Sequence, residues 1–218
     1  MTREEGRSTR HSFSFGPHYD QDNVGFGPLL CHDDHLLKPG AGFPDHGHRD
    51  LEIVTWVLTG MVEHTEEGQE TVRLGPGAVA VQSAGTGIRH GEVAAQDAGP
   101  TRFVQAWLTP DEDDVEPSYD VRRPTIHTGE LTPVAGAGTS LAIGTEGATL
   151  SVARLEAGQH VTLPGAPLQH VFVANGSLGR SSLAEPLQAG DAFRITDDPG
   201  LTVTAASPTE LLVWTFTR

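Results

Sequence analysis

Two short runs in this chain set potential metal ligands one residue apart. The first is Gly42-Phe43-Pro44-Asp45-His46-Gly47-His48, and the second is Gly85-Thr86-Gly87-Ile88-Arg89-His90-Gly91-Glu92. Side chains alternate between the two faces of an extended strand, so residues i and i+2 point the same way. His46 and His48 can therefore aim at one point, as can His90 and Glu92. The chain has 11 His, most of them expected to be solvated or simply hydrogen-bonded, and a single His-x-His pair would say little. A second paired set, reached after a strand-rich interval and a Gly-rich turn, makes His46, His48, His90 and Glu92 a candidate ligand set for one ion. Three imidazoles and one carboxylate form a donor set of intermediate softness that suits Fe(II), Mn, Co, Ni or Cu without selecting strongly among them. Four protein ligands leave two octahedral positions open, which points to chemistry rather than to a closed structural site.

Presenting those pairs requires strands and tight turns. Leu51 to Thr59 is a nearly continuous apolar and β-branched run, read as a strand buried on both faces and ended by Gly60. Met61 to His64 and Thr71 to Leu74 flank the polar Glu66-Glu67-Gly68-Gln69 and read as a hairpin. Gly75-Pro76-Gly77 is a turn, because proline presets one backbone angle and glycine permits the positive one. Ala78 to Gln82 is the next strand, the Gly85-Thr86-Gly87 bend presents His90 and Glu92, and Thr101 to Leu108 is again strand-like. Two strands facing each other across a small barrel would converge all four groups. Upstream, Met1 to Arg10 is polar without periodicity and is expected to be frayed or disordered. His11 to Leu30 reads as one short strand and a loop over the barrel rim. His18, His32 and His35 are expected at the surface or behind the ligands rather than on the metal.

The same residues carry a family resemblance. Gly42, His46-Gly47-His48, Glu52 and Gly60 follow the first cupin motif, and Gly77 with His90 follows the second loosely. His-x-His-Arg-Asp-x-Glu, then Ser-Ala-Gly-Thr-Gly-x-x-His-x-Glu, is narrower and resembles the pirin family, closest to its bacterial quercetinase-like members. His11 to Asp20, Val24 to Leu29 and Gln105-Ala106-Trp107-Leu108 fit the same family. A generic cupin uses the Glu after His-x-His as a ligand, whereas pirins resemble this sequence in using the later His-x-Glu. The resemblance implies Fe(II) as the expected ion, with Mn, Co, Ni, Cu or Zn able to replace it.

Beyond an acidic, Pro-containing connector from Pro110, the second half is a weak repeat of the first. Val171 to Gly176 echoes Val57 to Gly60, and Leu187 to Phe193 echoes Leu74 to Val79. Aligning the glycines sets Thr162 and Pro164 opposite His46 and His48, and Val203 and Ala205 near His90 and Glu92. The repeat keeps the turns and loses every ligand. The expected fold is therefore all-β, a bicupin of two β-barrel (double-stranded β-helix) domains. Its expected divisions are a disordered 1–10, a metal-binding cupin domain 11–115, a linker 116–124 and a degenerate, metal-free cupin domain 125–218.

Composition narrows the function classes. The 218 residues are 37% hydrophobic with 26 Gly and 15 Pro, which suits many short strands. A formal net charge of -15 opposes direct binding to nucleic acid, where Lys and Arg must displace counterions. Cys31 is the only cysteine, so neither an intrachain disulfide nor a thiolate metal cluster can form. No apolar run is long enough to span a bilayer and the N-terminus lacks a secretory pattern, so a cytoplasmic monomer is expected.

The resemblance implies a quercetin 2,3-dioxygenase type of enzyme, opening the central ring of a flavonol or similar enolic aromatic with O2 and releasing carbon monoxide. Glu92 would then both ligate the ion and take the substrate's hydroxyl proton. Phe43 and Trp56 are candidate pocket walls, with core packing the simpler role for each. The alternative implied by the same family is an iron-binding regulatory protein acting through a protein partner.

Overall fold

In the computed structural model, which describes residues 1–16, 19–179 and 186–217, every regular element is a β-strand. His18 lies outside the described residues. Among the described residues no helix is long and apolar enough to cross a membrane. The chain divides into two units, Met1–Pro124 and Thr125–Arg218.

The first unit contains β1 (Thr2–Glu4), β2 (Arg7–His11), β3 (Leu29–Leu37), β4 (Gly42–His48), β5 (Glu52–Thr59) and β6 (Val62–Glu66). It continues with β7 (Val72–Leu74), β8 (Val79–Ser83), β9 (Ile88–Ala94), β10 (Thr101–Leu108) and β11 (Ser118–Arg122). A seven-stranded sheet runs β1-β2-β3-β10-β5-β8-β11, and a four-stranded sheet runs β4-β9-β6-β7. The run expected to be buried on both faces is β5, which lies between β10 and β8 and is buried from Glu52 to Val57. Leu37, Val57, Val62, Leu74 and Phe103 pack into an apolar cluster beside the polar residues of the site.

Residues 1–10 are not disordered, which corrects the sequence expectation. β1 and β2 form an antiparallel hairpin, and β2 pairs with β3 from Arg7–Leu37 to His11–Asp33. No apolar periodicity announces this strand because tertiary bonds hold it. Arg7 Nη1 donates to the Gly42 carbonyl at 3.0 Å, and the Thr9 hydroxyl lies 2.9 Å from His35 Nδ1. The stretch read as a linker, 116–124, includes β11, whose Tyr119 pairs with Gln82 of β8. It belongs to the first unit's large sheet.

The second unit contains β12 (Leu131–Gly136), β13 (Ala148–Leu155), β14 (His160–Thr162), β15 (Ala166–Asn175) and β16 (Ser177–Leu178). It ends with β17 (Leu187–Gln188), β18 (Ala192–Asp198), β19 (Thr202–Thr204) and β20 (Thr209–Phe216). β12-β13-β20-β15-β18 form one sheet, and β14-β19 and β16-β17 form two short ones. Val161, Leu163, Val203 and Ala205 are buried in one apolar cluster with Val171 and Val213. Thr162 and Pro164, aligned above with His46 and His48, are exposed instead. The alignment was one residue off on that strand, and with a period of two a single slip turns every side chain to the other face.

Gly42 opens β4 where two backbones nearly touch. A Cβ there would lie 2.2 Å from the Glu92 carbonyl oxygen and 2.6 Å from the Val93 Cα. Gly42→Ala must therefore push β4 off β9, and it is expected to lower stability by about 2–3 kcal/mol. Urea denaturation checks this, and a midpoint equal to that of the unaltered chain would overturn it.

Candidate metal centre

β4, β9 and β6 lie side by side. His46 stands opposite His90, Glu66 opposite His90 on the other flank, and His64 opposite Glu92. Directly opposed residues of an antiparallel pair project to the same face. The ligand-bearing strands β4 and β9 are thus neighbours in one sheet, not strands facing each other across a barrel, and this corrects the geometry expected from the sequence.

One irregularity makes the face work. Phe43 pairs with Glu92 and His46 with His90, so three steps on β4 match two on β9 and a β-bulge falls at Pro44-Asp45. In a regular strand Phe43 and His46 would point to opposite faces. The extra residue brings Phe43, His46 and His48 to the same one. Pro44 has no N–H to lose from the ladder at this point, and its carbonyl is 2.8 Å from His46 Nδ1. That bond places the proton on Nδ1 and leaves the lone pair on Nε2.

His46 Nε2 and His90 Nε2 are 3.2 Å apart. One ring nitrogen from each of His46, His48 and His90 lies within 4.8 Å of the others. Two nitrogens about 2.1 Å from one ion and at right angles to each other lie about 3.0 Å apart, so this spacing fits a shared ion. Burial and the neighbouring His46 lower the His48 pKa to about 4, and burial, then His46, lower that of His90 to about 3. Both are neutral at physiological pH, the form in which imidazole binds a metal.

Glu92 is not among those three. It is buried behind them at 3% exposure, and its Oε2 accepts from Gln105 Nε2 at 2.7 Å. Trp107 Nε1, a donor only, reaches Gln105 Oε1 at 3.0 Å. This fixes the amide orientation and forces the Gln105 NH2 toward Glu92 and toward Thr55 Oγ1 at 3.1 Å. Burial raises the Glu92 pKa, and the Gln105 hydrogen bond and nearby His64 and His46 pull it part of the way back. Sequence reasoning did not single out Gln105 or Trp107 for a role here. Their i, i+2 spacing on β10 was the available signal.

Beside His46 and Glu92 is a cavity of 190 Å³ lined by Phe43, Trp107 and Phe15 together with Arg7, His11 and Asp33. The Arg7 guanidinium lies 4.2 Å from the Phe43 ring centre, and His11 Nδ1 is 2.9 Å from Asp33 Oδ2. The N-terminal hairpin thus contributes to the lining of the cavity. Of the two candidate walls, Phe43 lines the cavity, whereas Trp56 is buried in the core. Glu52 is buried at the start of β5, three residues from Thr55 and so on the opposite face of that strand. His32 and His35 are buried on β3 outside the imidazole cluster. His64 is nearer than its sequence position suggested, its ring centre 5.2 Å from that of His90, but its Nε2 is 2.9 Å from Glu66.

Two outcomes follow from this geometry. His48→Ala should strip most bound metal, and His64→Ala should leave most of it, as elemental analysis would show; the reverse pattern would displace the cluster. The second concerns acid. Burial also lowers the pKa of His35 to about 3 and of His170 to about 4. An unfolded chain protonates these four histidines near 6.5, so between about pH 6.5 and 4 it binds more protons than the folded one. Stability of the metal-free protein should fall as pH drops through that window. Urea midpoints that hold level between pH 7 and pH 5 would contradict this.

A family model described as Pirin matches residues 1–108, and one described as Quercetinase C-terminal cupin domain matches residues 133–215. A Mycobacterium tuberculosis protein named "Putative quercetin 2,3-dioxygenase" is 41% identical over 220 residues, spanning 98% of this chain and 90% of its own. The Escherichia coli protein named quercetin 2,3-dioxygenase is 38% identical over 113 residues, 52% of this chain and 49% of that one. The crystal structure of an Escherichia coli bacterial pirin in complex with nickel(II) superposes with a TM-score of 0.88 at 26% identity, covering 99% of this chain and 94% of that one. With two cupin domains, three clustered imidazoles and relatives along its whole length, this chain belongs to the pirin family.

Proposed function

We propose that this chain is a metal-dependent dioxygenase of the quercetin 2,3-dioxygenase type, acting on a flavonol or a similar enolic aromatic. The observation that carries the reading is the Trp107–Gln105–Glu92 relay ending beside three imidazoles in an aromatic-walled cavity. His46, His48 and His90 would hold one divalent transition ion, with Glu92 as the fourth ligand and Fe(II) as the expected metal. The names of the Mycobacterium and Escherichia coli relatives support the substrate class, and the nickel(II) complex of the similar bacterial pirin supports the binding of a divalent transition metal.

When bound, the metal supplies Lewis acidity toward the substrate's enolic oxygen and the means to engage dioxygen. The chain's own residues do the rest. Phe43 and Trp107 flank a flat ring and keep water from it. Glu92 takes the proton of the 3-hydroxyl, and its buried position makes it a stronger base than a solvated carboxylate. Gln105, locked by Trp107, holds Glu92 in place for that transfer. At 190 Å³ the cavity is smaller than the roughly 300–1,000 Å³ that encloses a drug-sized ligand. It takes the reacting end of a flavonol and leaves the remainder outside.

The test separates ligation from base catalysis. Metal-loaded protein should carry one ion per chain, since the second unit's matching positions are apolar. Glu92→Gln should keep part of the metal while turnover falls by about 10²–10⁴, the usual contribution of a general base. Raising the pH should restore part of that loss, because the substrate then ionises without help. His46→Ala should lose metal and activity together. Metal content, oxygen uptake and carbon monoxide release would be measured on the same samples; full metal with undiminished turnover in Glu92→Gln would falsify the proposed role.

A further inference from the structure

A second carboxylate, Asp33 of β3, lines the same 190 Å³ cavity as Glu92. Asp33 stands opposite His11 of β2 and opposite Gln105 of β10, and Gln105 stands opposite Thr55 of β5. Directly opposed residues of antiparallel strands share a face, so these four make one polar row across the large sheet. Glu92 joins the row from the other sheet through Gln105 Nε2 at 2.7 Å. The two carboxylates therefore flank one amide, and opposed Cβ atoms such as those of Asp33 and Gln105 lie about 4.5–5.5 Å apart. The neighbouring polar groups are already engaged. Gln105 bonds Thr55, Glu92 and Trp107, and the Thr9 hydroxyl lies 2.9 Å from His35 Nδ1. Arg7 donates to the Gly42 carbonyl and to Glu4. His11 donates Nδ1–H to Asp33 at 2.9 Å, has the Thr2 hydroxyl 2.9 Å from Nε2, and stacks on Phe15 at 4.3 Å. Asp33 still has capacity. A carboxylate offers about four acceptor positions, and among the described residues its donors are His11 and the Cys31 thiol. Its side chain is 13% exposed, so a ligand in the cavity can reach it. Burial raises its pKa, and the pairing with His11 pulls it part of the way back.

We propose, resting on the dioxygenase reading, that Asp33 is a specificity-determining residue that accepts a hydrogen bond from a second hydroxyl of the substrate while the first reacts beside Glu92. The substrate is thereby narrowed to an aromatic whose second hydroxyl lies close to the reacting one, as at position 5 or 2′ of a flavonol. The cavity takes only the reacting end of such a molecule, so hydroxyls at the distant 7 and 4′ positions fall outside it. A hydroxyl donating to an ionised acceptor makes the stronger kind of hydrogen bond. A ring without that hydroxyl, or with a methoxy group there, would cover the carboxylate and leave its remaining acceptor positions unmade. An anionic group there would meet like charge, and Arg7 is already paired with Glu4. His11, held by Thr2 and Phe15, keeps Asp33 in place before the ligand arrives.

Titration calorimetry on the metal-loaded chain without oxygen tests this apart from turnover. The probes are 3-hydroxyflavone and its 5-, 2′-, 7- and 4′-hydroxy derivatives. The 5-hydroxy or the 2′-hydroxy compound should bind about tenfold or more tighter than 3-hydroxyflavone, and methylating that second hydroxyl should cancel the gain. The 7- and 4′-hydroxy compounds should stay within about threefold of the parent. Asp33→Asn, which keeps the shape and removes the charge, should shrink the preference by about threefold or more, and Asp33→Ala should abolish it. Equal affinity for the parent and both near-hydroxylated derivatives in the unaltered chain would overturn the subsite, as would a preference that survives Asp33→Ala. Oxygen uptake and carbon monoxide release on aerated samples report on the reaction separately. Flavonols bound with this preference and never cleaved would overturn the dioxygenase reading and leave the subsite standing; cleavage without the preference would overturn the subsite alone.

Discussion

The pairing of β4 with β9, and the single extra residue that interrupts it, sets the position of every group at the site. Because Pro44-Asp45 bulges out, Phe43 faces inward with Glu92 while His46 and His48 still face inward with His90. The close approach at Gly42 brings the two strands together with no room for a side chain. A shift of one residue in either strand would turn the imidazoles to the opposite face. The same bulge frees the Pro44 carbonyl to fix the His46 tautomer. Backbone geometry here does the work of ligand chemistry.

The two units show what such a site requires of a barrel. Counting from Gly60 and Gly176, which follow β5 and β15, Thr55 corresponds to Val171. The residues paired with these two are Gln105 and Val213. One unit keeps a hydroxyl and an amide on the inner face of its sheet, and the other keeps two valines there. The second unit's interior closes as an apolar cluster of Val161, Leu163, Val203 and Ala205 with its neighbours. In the first, buried polar groups are tolerable because most have partners: Gln105 alone joins Thr55, Glu92 and Trp107.

Pairing within the four-stranded sheet also sets the imidazole cluster beside His64 and Glu66, which line a 580 Å³ cavity. β6 flanks β9, so His64 and Glu66 project beside Glu92 and His90. His64 is held by Glu66 on one edge and by the Tyr119 ring on its face. It lines the acidic space around Gln82, while the aromatic space beside His46 is lined by other residues.

Sequence alone was enough for what depends on local period and turn chemistry. The alternation rule put His46 with His48 and His90 with Glu92, and the glycine turns marked where β5 ends and where β8 begins and ends. The rest needed the folded chain. The strand at Arg7–His11 has no apolar pattern, and it forms because β3 offers a backbone edge and Gly42 and His35 offer bonding partners. The bulge at Pro44-Asp45 exists only relative to β9, since one strand by itself has no register. The Trp107–Gln105–Glu92 chain joins Gln105 to Glu92, 13 residues apart on separate sheets, and the cavity beside His64 is lined from β6, β7, β8, β9 and β11. Contacts of this kind are set by which strands become neighbours, and no local property of the sequence encodes that.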